Sequence, residues 1–232
     1  MWNEMKDYVP NDHSHQVTAE WMVQQVLDRL PTTSVIIDLG CGAGNSVDFF
    51  REFLPKLTWI GIDIADSPEV RKRKRSDATF MEFDGVNIPL PSNSVDLLFS
   101  RQVLEHVRYP EALLHSIVRV LKPSGYFVGS TSHLEPYHSF QLWNFTPYGF
   151  KEIVQEAGLI LHEIRPGIDG KTLINRTYKG RPKTYSKYFN EESPLNLEIE
   201  CWGQNTQRNH RQVLIRKLSV CGHFCFTCIK KS

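Results

Sequence analysis

At 232 residues the chain has the length of one domain, large enough to bury a sizeable core without disulfide or metal staples. Lys plus Arg number 27 against 26 for Asp plus Glu, so no global field draws the chain to nucleic acid or membrane, and a small or neutral substrate is expected. The amino terminus, Met1-Trp-Asn-Glu-Met-Lys-Asp, has no apolar signal core, no stretch approaches a membrane span, and five cysteines are too few for a disulfide framework, so a cytosolic protein with reduced thiols is expected.

Residues 15–30 read as a helix, with Val23, Val26, Leu27 and Leu30 on one stripe and Pro31 ending it. His13 and His15 beside it could reach a ligand, although solvated histidines are the expectation. Ser34–Leu39 is an apolar, β-branched run of the kind buried on both faces of a parallel sheet. Gly40, Gly42 and Gly44 then permit positive φ and a close approach of ligand to backbone. From Asn45 the period becomes helical, with Val47, Phe50, Phe53 and Leu54 on one face and Pro55 as the stop. Trp59–Asp63 is a second strand that ends in an acid, about 20 residues past the glycines, where a carboxylate can accept from both ribose hydroxyls.

The run Arg71-Lys-Arg-Lys-Arg75 contains no interleaved aromatic residue and reads as a solvated loop or helix face. A third strand over Thr79–Phe83 and a fourth over Val95–Ser100 follow. Leu113, Leu114, Ile117, Val120 and Leu121 then give one helical face, ended by Pro123, and Ser124-Gly125 turns into a fifth strand, Tyr126–Ser130. Thr146 and Pro147 form an N-cap and first-turn pair for a helix carrying Phe150, Ile153, Val154 and Ala157, with a sixth strand at Leu159–Arg165. Residues 167–212 are polar and tyrosine-rich (Tyr178, Tyr185, Tyr188), as in a lid or helical insertion, before a helix with Leu214, Ile215 and Leu218. The cluster Cys221-Gly-His-Phe-Cys225-Phe-Thr-Cys228 offers four zinc ligands but no second pair, so the expectation is a last strand, Phe224–Ile229, whose cysteines act as small hydrophobes.

The glycine spacing separates two readings. A dinucleotide fingerprint needs its third glycine at position 45, which is Asn. Asp38-x-Gly40-x-Gly42-x-Gly44 instead resembles motif I of the class I S-adenosylmethionine-dependent methyltransferases. The resemblance continues, in the family's order, through Phe83-Asp-Gly-Val-Asn-Ile-Pro-Leu-Pro91, Ser94-Val-Asp-Leu-Leu-Phe99, Leu104-Glu-His106 and Leu121-Lys-Pro-Ser-Gly125, covering about residues 30–165.

This resemblance implies an α/β fold: a doubly wound seven-stranded sheet in the order 3-2-1-4-5-7-6, last strand antiparallel, with helices on both faces. A single methyltransferase domain would fill residues 1–232, with an N-terminal cap region at 1–31. The cofactor would be S-adenosylmethionine, held by the turn Asp38, Gly40, Cys41, Gly42 and Gly44, by Asp63 with Ile64 at the ribose, and by Asp84, Gly85 and Val86 at the adenine. A carboxylate can accept from the exocyclic amine there while a backbone N–H, such as that of Val86, supplies a ring nitrogen. Arg101 and Gln102, after the fourth strand, would border the methionine part, because open α/β sheets bind ligands at strand carboxyl ends.

Some relatives that methylate phenolic or quinol oxygens hold a divalent metal with a Glu-x-x-Glu-His run. Here its first position is Gln102, so no metal is expected. The loop from Ser132 to Thr146 sits where the fold places its acceptor. Tyr137, Trp143 and Phe145 have the character of pocket walls, and His133 and His138, with His106 third, are the candidate bases for a small-molecule acceptor. The expected reaction is O-methylation of a sugar, phenol or related metabolite. Two alternatives remain: an RNA or protein methyltransferase landing on Arg71–Arg75 or Lys179–Lys187, and a non-catalytic subunit of the same fold.

Overall fold

The computed structural model describes residues 2–232. Among these, seven strands form one sheet in the order β3-β2-β1-β4-β5-β7-β6: β1 Val35–Leu39, β2 Thr58–Asp63, β3 Thr79–Glu82, β4 Val95–Arg101, β5 Leu121–Ser132, β6 Leu159–Pro166 and β7 His223–Lys230. This is the order the resemblance implies. β1 pairs in parallel with β2 and β4, setting Asp38 level with Gly61 and Phe99, while β7 runs antiparallel between β5 and β6.

The helices are α1 Trp2–Met5, α2 Ala19–Leu27, α3 Ser46–Phe53, α4 Pro110–Val120, α5 Pro147–Glu156, α6 Gly170–Tyr178, α7 Pro194–Asn205 and α8 His210–Leu218. The period-2 alternation of the strands splits the core between two faces. Ile36, Leu97, Phe99, Val128 and Cys225 pack with α2 and α3, and Ile37, Leu39, Leu98, Phe127 and Phe226 pack with α4, α5 and α8. None of the described helices is long and apolar enough to cross a membrane.

Several boundaries differ from the sequence expectation for local reasons. Helix α2 starts at Ala19 rather than near residue 15, because the Thr18 hydroxyl accepts the Trp21 N–H at 3.2 Å and caps it. Phe53 does not join the buried face. Val47, Phe50 and Leu54 fill the stripe, and Phe53, a quarter-turn or more off it, is 42% exposed with its ring 5.2 Å from that of Phe49. β3 stops at Glu82, one residue early, and β5 begins at Leu121, upstream of the expected turn, with Ser124 at φ +62 and a register shift against β4.

The segment between β6 and β7 is helical and tied down. Lys217 on α8, fully buried, donates from Nζ to Glu200 Oε1 at 2.6 Å, Glu192 Oε2 at 3.1 Å and the Ser14 carbonyl at 2.8 Å. One buried ammonium thus joins the N-terminal segment, the insertion and α8, with three acceptors for its three protons. The zinc reading of Cys221–Cys228 fails on geometry: Cys225 lies in the α2/α3 face of the core and Cys221 and Cys228 in the other. Burial pushes all three thiols up, so they are inert small hydrophobes.

Candidate functional site

The strongest local constraint follows β1. Gly40, Gly42 and Gly44 adopt φ of +72, +51 and +80, the left-handed region that a Cβ disfavours, and bring the chain from strand to α3 in a tight turn. The turn is held from three sides. Gly40 N donates to the Ile62 carbonyl at 2.7 Å, and Gly42 N donates to Asp63 Oδ2, also at 2.7 Å. Asp38, buried beneath, accepts from Ser46 Oγ at 2.5 Å, and burial raises its pKa to about 7 in spite of that bond. Cys41, likewise pushed up to about 12 by burial, fills space under the turn.

The third side is the basic run, and here the expectation of a solvated face is overturned. Arg71 does pair with exposed Asp66, but Arg73 Nε donates to the Gly42 carbonyl at 2.9 Å, with its guanidinium 4.0 Å over the Phe80 ring. Arg75 donates to the Gly44 carbonyl at 3.1 Å and pairs with Asp48 and Asp77. A positive-φ turn leaves carbonyls without helical donors, and two guanidiniums from the β2–β3 connection supply them.

Asp63, at the end of β2, accepts one N–H on each oxygen: Gly42 on Oδ2 and Ile64 on Oδ1 at 2.8 Å. Each oxygen keeps capacity for one more donor. Ile64 beside it is 42% exposed. Asp84 is turned on its own loop, accepting from Val86 N at 2.8 Å and Asn87 N at 2.6 Å, bonds that hold its carboxyl below the usual range. The Val86 N–H is therefore engaged rather than free for a ligand. Gly85, at φ +89, faces open space. Arg101, at the end of β4, pairs with Glu20 at the start of α2, which brings the N-terminal segment to the rim.

After β4 and β5 the chain builds a second, largely buried polar cluster. Gln102, at φ +55, lies among Ser130, Ser132, Glu105 and His223. The amide orientation that satisfies both ends donates to Glu105 Oε1 at 2.8 Å and accepts from Ser130 Oγ at 3.1 Å. Glu105 is fully buried and accepts from Thr131 Oγ1 at 2.9 Å, with Ser132 Oγ 3.2 Å from its other oxygen. Burial raises its pKa to about 7. Glu135 is the centre of the cluster. Its Oε2 takes the Ser132 hydroxyl and lies 2.8 Å from His223 Nε2, and its Oε1 lies 3.5 Å from His138 Nδ1. Burial acts to raise Glu135, but the bond and charge of His223 outweigh it and leave the carboxyl below its ordinary value.

His138 and His106 are brought together, edge to face with ring centroids 5.3 Å apart, and burial lowers His106. His133 is not with them. It lines a separate groove of about 650 Å³ between the loop and α6, where burial lowers its pKa as well. Tyr137 is 73% exposed, Trp143 donates from Nε1 to the Val107 carbonyl at 2.8 Å, and Phe145 packs against the core. His13 packs on Trp21 and the buried Arg165, and His15 faces Glu192. Glu105, His106 and His138 each offer a ligand atom within 4.8 Å of the others.

Glu135 and His223 were missed by sequence reasoning. Glu135 is the one acid in the stretch from Ser132 to Thr146, and that was its available signal; His223 opens a strand some 90 residues downstream, where its sequence context placed it only in the Cys221–Cys228 cluster. The buried carboxyls make a pH prediction. A folded pKa above the ordinary value means the native state holds a proton the unfolded chain has lost, so the Glu105 contribution falls as pH rises from about 4.5 to about 7. Glu105→Gln should be near neutral at pH 5 and stabilising by about 2 to 3 kcal/mol at pH 8. Urea denaturation at the two pH values checks it, and an equal difference at both would remove the buried charge as its cause.

Residues 37–129 match the family of methyltransferase domains. Among curated relatives, the chain is 30% identical over 102 residues to trans-aconitate 2-methyltransferase of Methylobacterium nodulans, covering 43% of this chain and 40% of the relative. It is 28% identical over 144 residues to the tRNA (carboxymethyluridine(34)-5-O)-methyltransferase of Arabidopsis thaliana, covering 60% of this chain and 34% of the relative. The chain spans less than half the length of the curated relatives it matches. An S-adenosylmethionine-dependent methyltransferase from Mesorhizobium loti superposes with a TM-score of 0.55 at 17% identity, over 91% of this chain and 98% of that one, a likeness of fold. With the strand order, the glycine turn after β1 and the acid ending β2 all in place, the chain carries, over residues 37–129, a methyltransferase domain of the class I S-adenosylmethionine-dependent fold.

Proposed function

We propose that this protein transfers a methyl group from S-adenosylmethionine to a hydroxyl oxygen of a small molecule, such as a sugar or phenol, in the cytosol. The observation that carries the reading is the placement of the Asp63-pinned glycine turn and the Glu135-centred cluster at the carboxyl ends of one set of parallel strands.

The donor set fits the cofactor. Asp63 has one open acceptor position per oxygen for the two ribose hydroxyls, exposed Ile64 gives an apolar ledge, and the open space at Gly85 admits a ring beside Asp84. Asp38, Gly40, Cys41, Gly42 and Gly44 shape the floor, with Arg101 and Gln102 at the methionine end. The bound sulfonium supplies an already activated methyl, so the protein's tasks are alignment and removal of one proton. His138 takes that proton on Nε2, because its Nδ1 faces Glu135 Oε1 and is otherwise without a partner. His106 packs against the same ring and supports its position. Because Gln102 is a neutral amide at the position where metal-dependent relatives carry a carboxylate, the reaction is taken to need no divalent ion, and full turnover in a chelator is the expected result.

Calorimetry should show S-adenosylmethionine binding with micromolar affinity, about 8 kcal/mol. S-adenosylhomocysteine release should then appear with a sugar and phenol panel. NADH binding without S-adenosylmethionine binding would overturn the family's chemistry for this chain, and activity lost in chelator and restored by magnesium would overturn the metal-free mechanism.

A further inference from the structure

The three guanidiniums of the run Arg71-Lys-Arg-Lys-Arg75 have three different surroundings. Arg71 is exposed and pairs with exposed Asp66. Arg75 is neutralised twice, by Asp48 on α3 and by Asp77, and so ties the β2–β3 connection to that helix. Arg73 is half-buried and, among the described residues, has no carboxylate within ion-pair distance. A cation partly withdrawn from water without a counterion is a cost to folding rather than a gain.

What Arg73 does contact is the glycine turn. Its Nε donates to the Gly42 carbonyl at 2.9 Å, its Nη2 lies 3.5 Å from the Cys41 sulfur, and its guanidinium lies 4.0 Å over the Phe80 ring. The same ring stands against Gly44, where Phe80 Cζ would be 2.7 Å from an added Cβ. Arg73 thus reaches two of the three glycines, one by a charge-assisted bond and the other through an aromatic ring. Three glycines within Gly40–Gly44 make a soft turn, because each can leave its positive φ at little steric cost. Gly42 is held on both sides of its Cα: its N–H donates to Asp63 Oδ2 at 2.7 Å, and its carbonyl accepts from Arg73. A rotation at Gly42 would therefore disturb the floor of the cofactor site and the Asp63 carboxylate together.

We infer that Arg73 is a positioning residue for the cofactor: from the β2–β3 connection it pins Gly42 in the conformation that receives S-adenosylmethionine, and so sets affinity without touching the chemical step. The inference rests on the methyltransferase reading for the identity of the ligand, but not for the pin. A turn that is competent only part of the time raises the apparent Kd by the inverse of that fraction, so a fall to about one fifth raises it about fivefold. Turnover at saturating cofactor is unchanged, because saturation restores the competent turn.

Arg73→Met keeps an apolar side chain over Phe80 and removes the donor and the charge. It should raise the Kd and KM for S-adenosylmethionine by about fivefold or more, with kcat unchanged and no fall in Tm, since the charge it removes has no counterion. Arg73→Lys, which returns a charge and a donor but not the planar stack, should recover part of the affinity. Arg71→Met removes the same charge from the exposed end of the run and should leave affinity as it is. Hydrogen exchange on the full chain without cofactor reads the pin independently of the ligand: Arg73→Met should speed exchange at residues 40–46 by about fivefold or more, while β1 and β2 keep wild-type rates. That faster exchange, found in a chain whose wild type does not bind S-adenosylmethionine, would keep the pin and remove the methyltransferase reading. Wild-type affinity and exchange in Arg73→Met, an equal loss of affinity in Arg71→Met, or a fall in kcat together with Tm would overturn the inference.

Discussion

Asp63→Ala is expected to weaken S-adenosylmethionine binding by roughly 10- to 150-fold, about 1.5 to 3 kcal/mol, because it removes the acceptor for two ribose hydroxyls in a partly enclosed site. The carboxylate also accepts the Gly42 N–H at 2.7 Å, so its loss leaves a donor of the glycine turn unmatched and loosens the floor under the ligand. Asp63→Asn separates the two contributions. One amide oxygen can still take a single donor, whereas the NH2 cannot accept, so affinity should fall between wild type and Ala. Calorimetry on the three proteins is the measurement, with thermal unfolding as the control for the turn. Wild-type affinity in the Ala variant would take Asp63 out of the ribose site.

How much of this was legible in the sequence depended on the range of the contact. The strand–turn–helix at 35–53 and the acid at 63 could be read because each is a local pattern: an apolar run, a glycine spacing and a carboxylate at a strand end. The function of Arg73 and Arg75 could not. A run of five cations looks the same whether it faces water or caps carbonyls some 31 residues earlier in the chain, and only the β2–β3 crossover brings them to Gly42 and Gly44. Phe53 shows the opposite failure, since hydrophobicity alone assigned it to a stripe that a helix of eight residues has no room to widen. Gln102 and Glu105 were legible as neighbours of the site, but their burial, and hence the protonation of Glu105 near neutral pH, depends on β5 hydroxyls at 130–132 arriving beside them.

The proposed catalytic cluster makes the prediction with the largest effect. His138→Ala should lower kcat by roughly 10² to 10⁴ with cofactor affinity within error, as removal of a general base does, and His106→Ala and His133→Ala should each cost less. Glu135 is a positioning residue in this scheme, holding the His138 Nδ1 side at 3.5 Å and His223 at 2.8 Å so that Nε2 of His138 faces the acceptor. Glu135→Gln keeps the shape but exchanges an anion for a neutral amide that no longer fixes the ring, so kcat should fall with KM for cofactor unchanged, and Glu135→Asp, which keeps the charge, should recover part of the loss. A Glu135→Gln variant with full kcat and lowered Tm would reduce Glu135 to a packing role. If His138, His106 and His133 variants all retain full turnover, proton removal falls to solvent and the protein works by alignment alone.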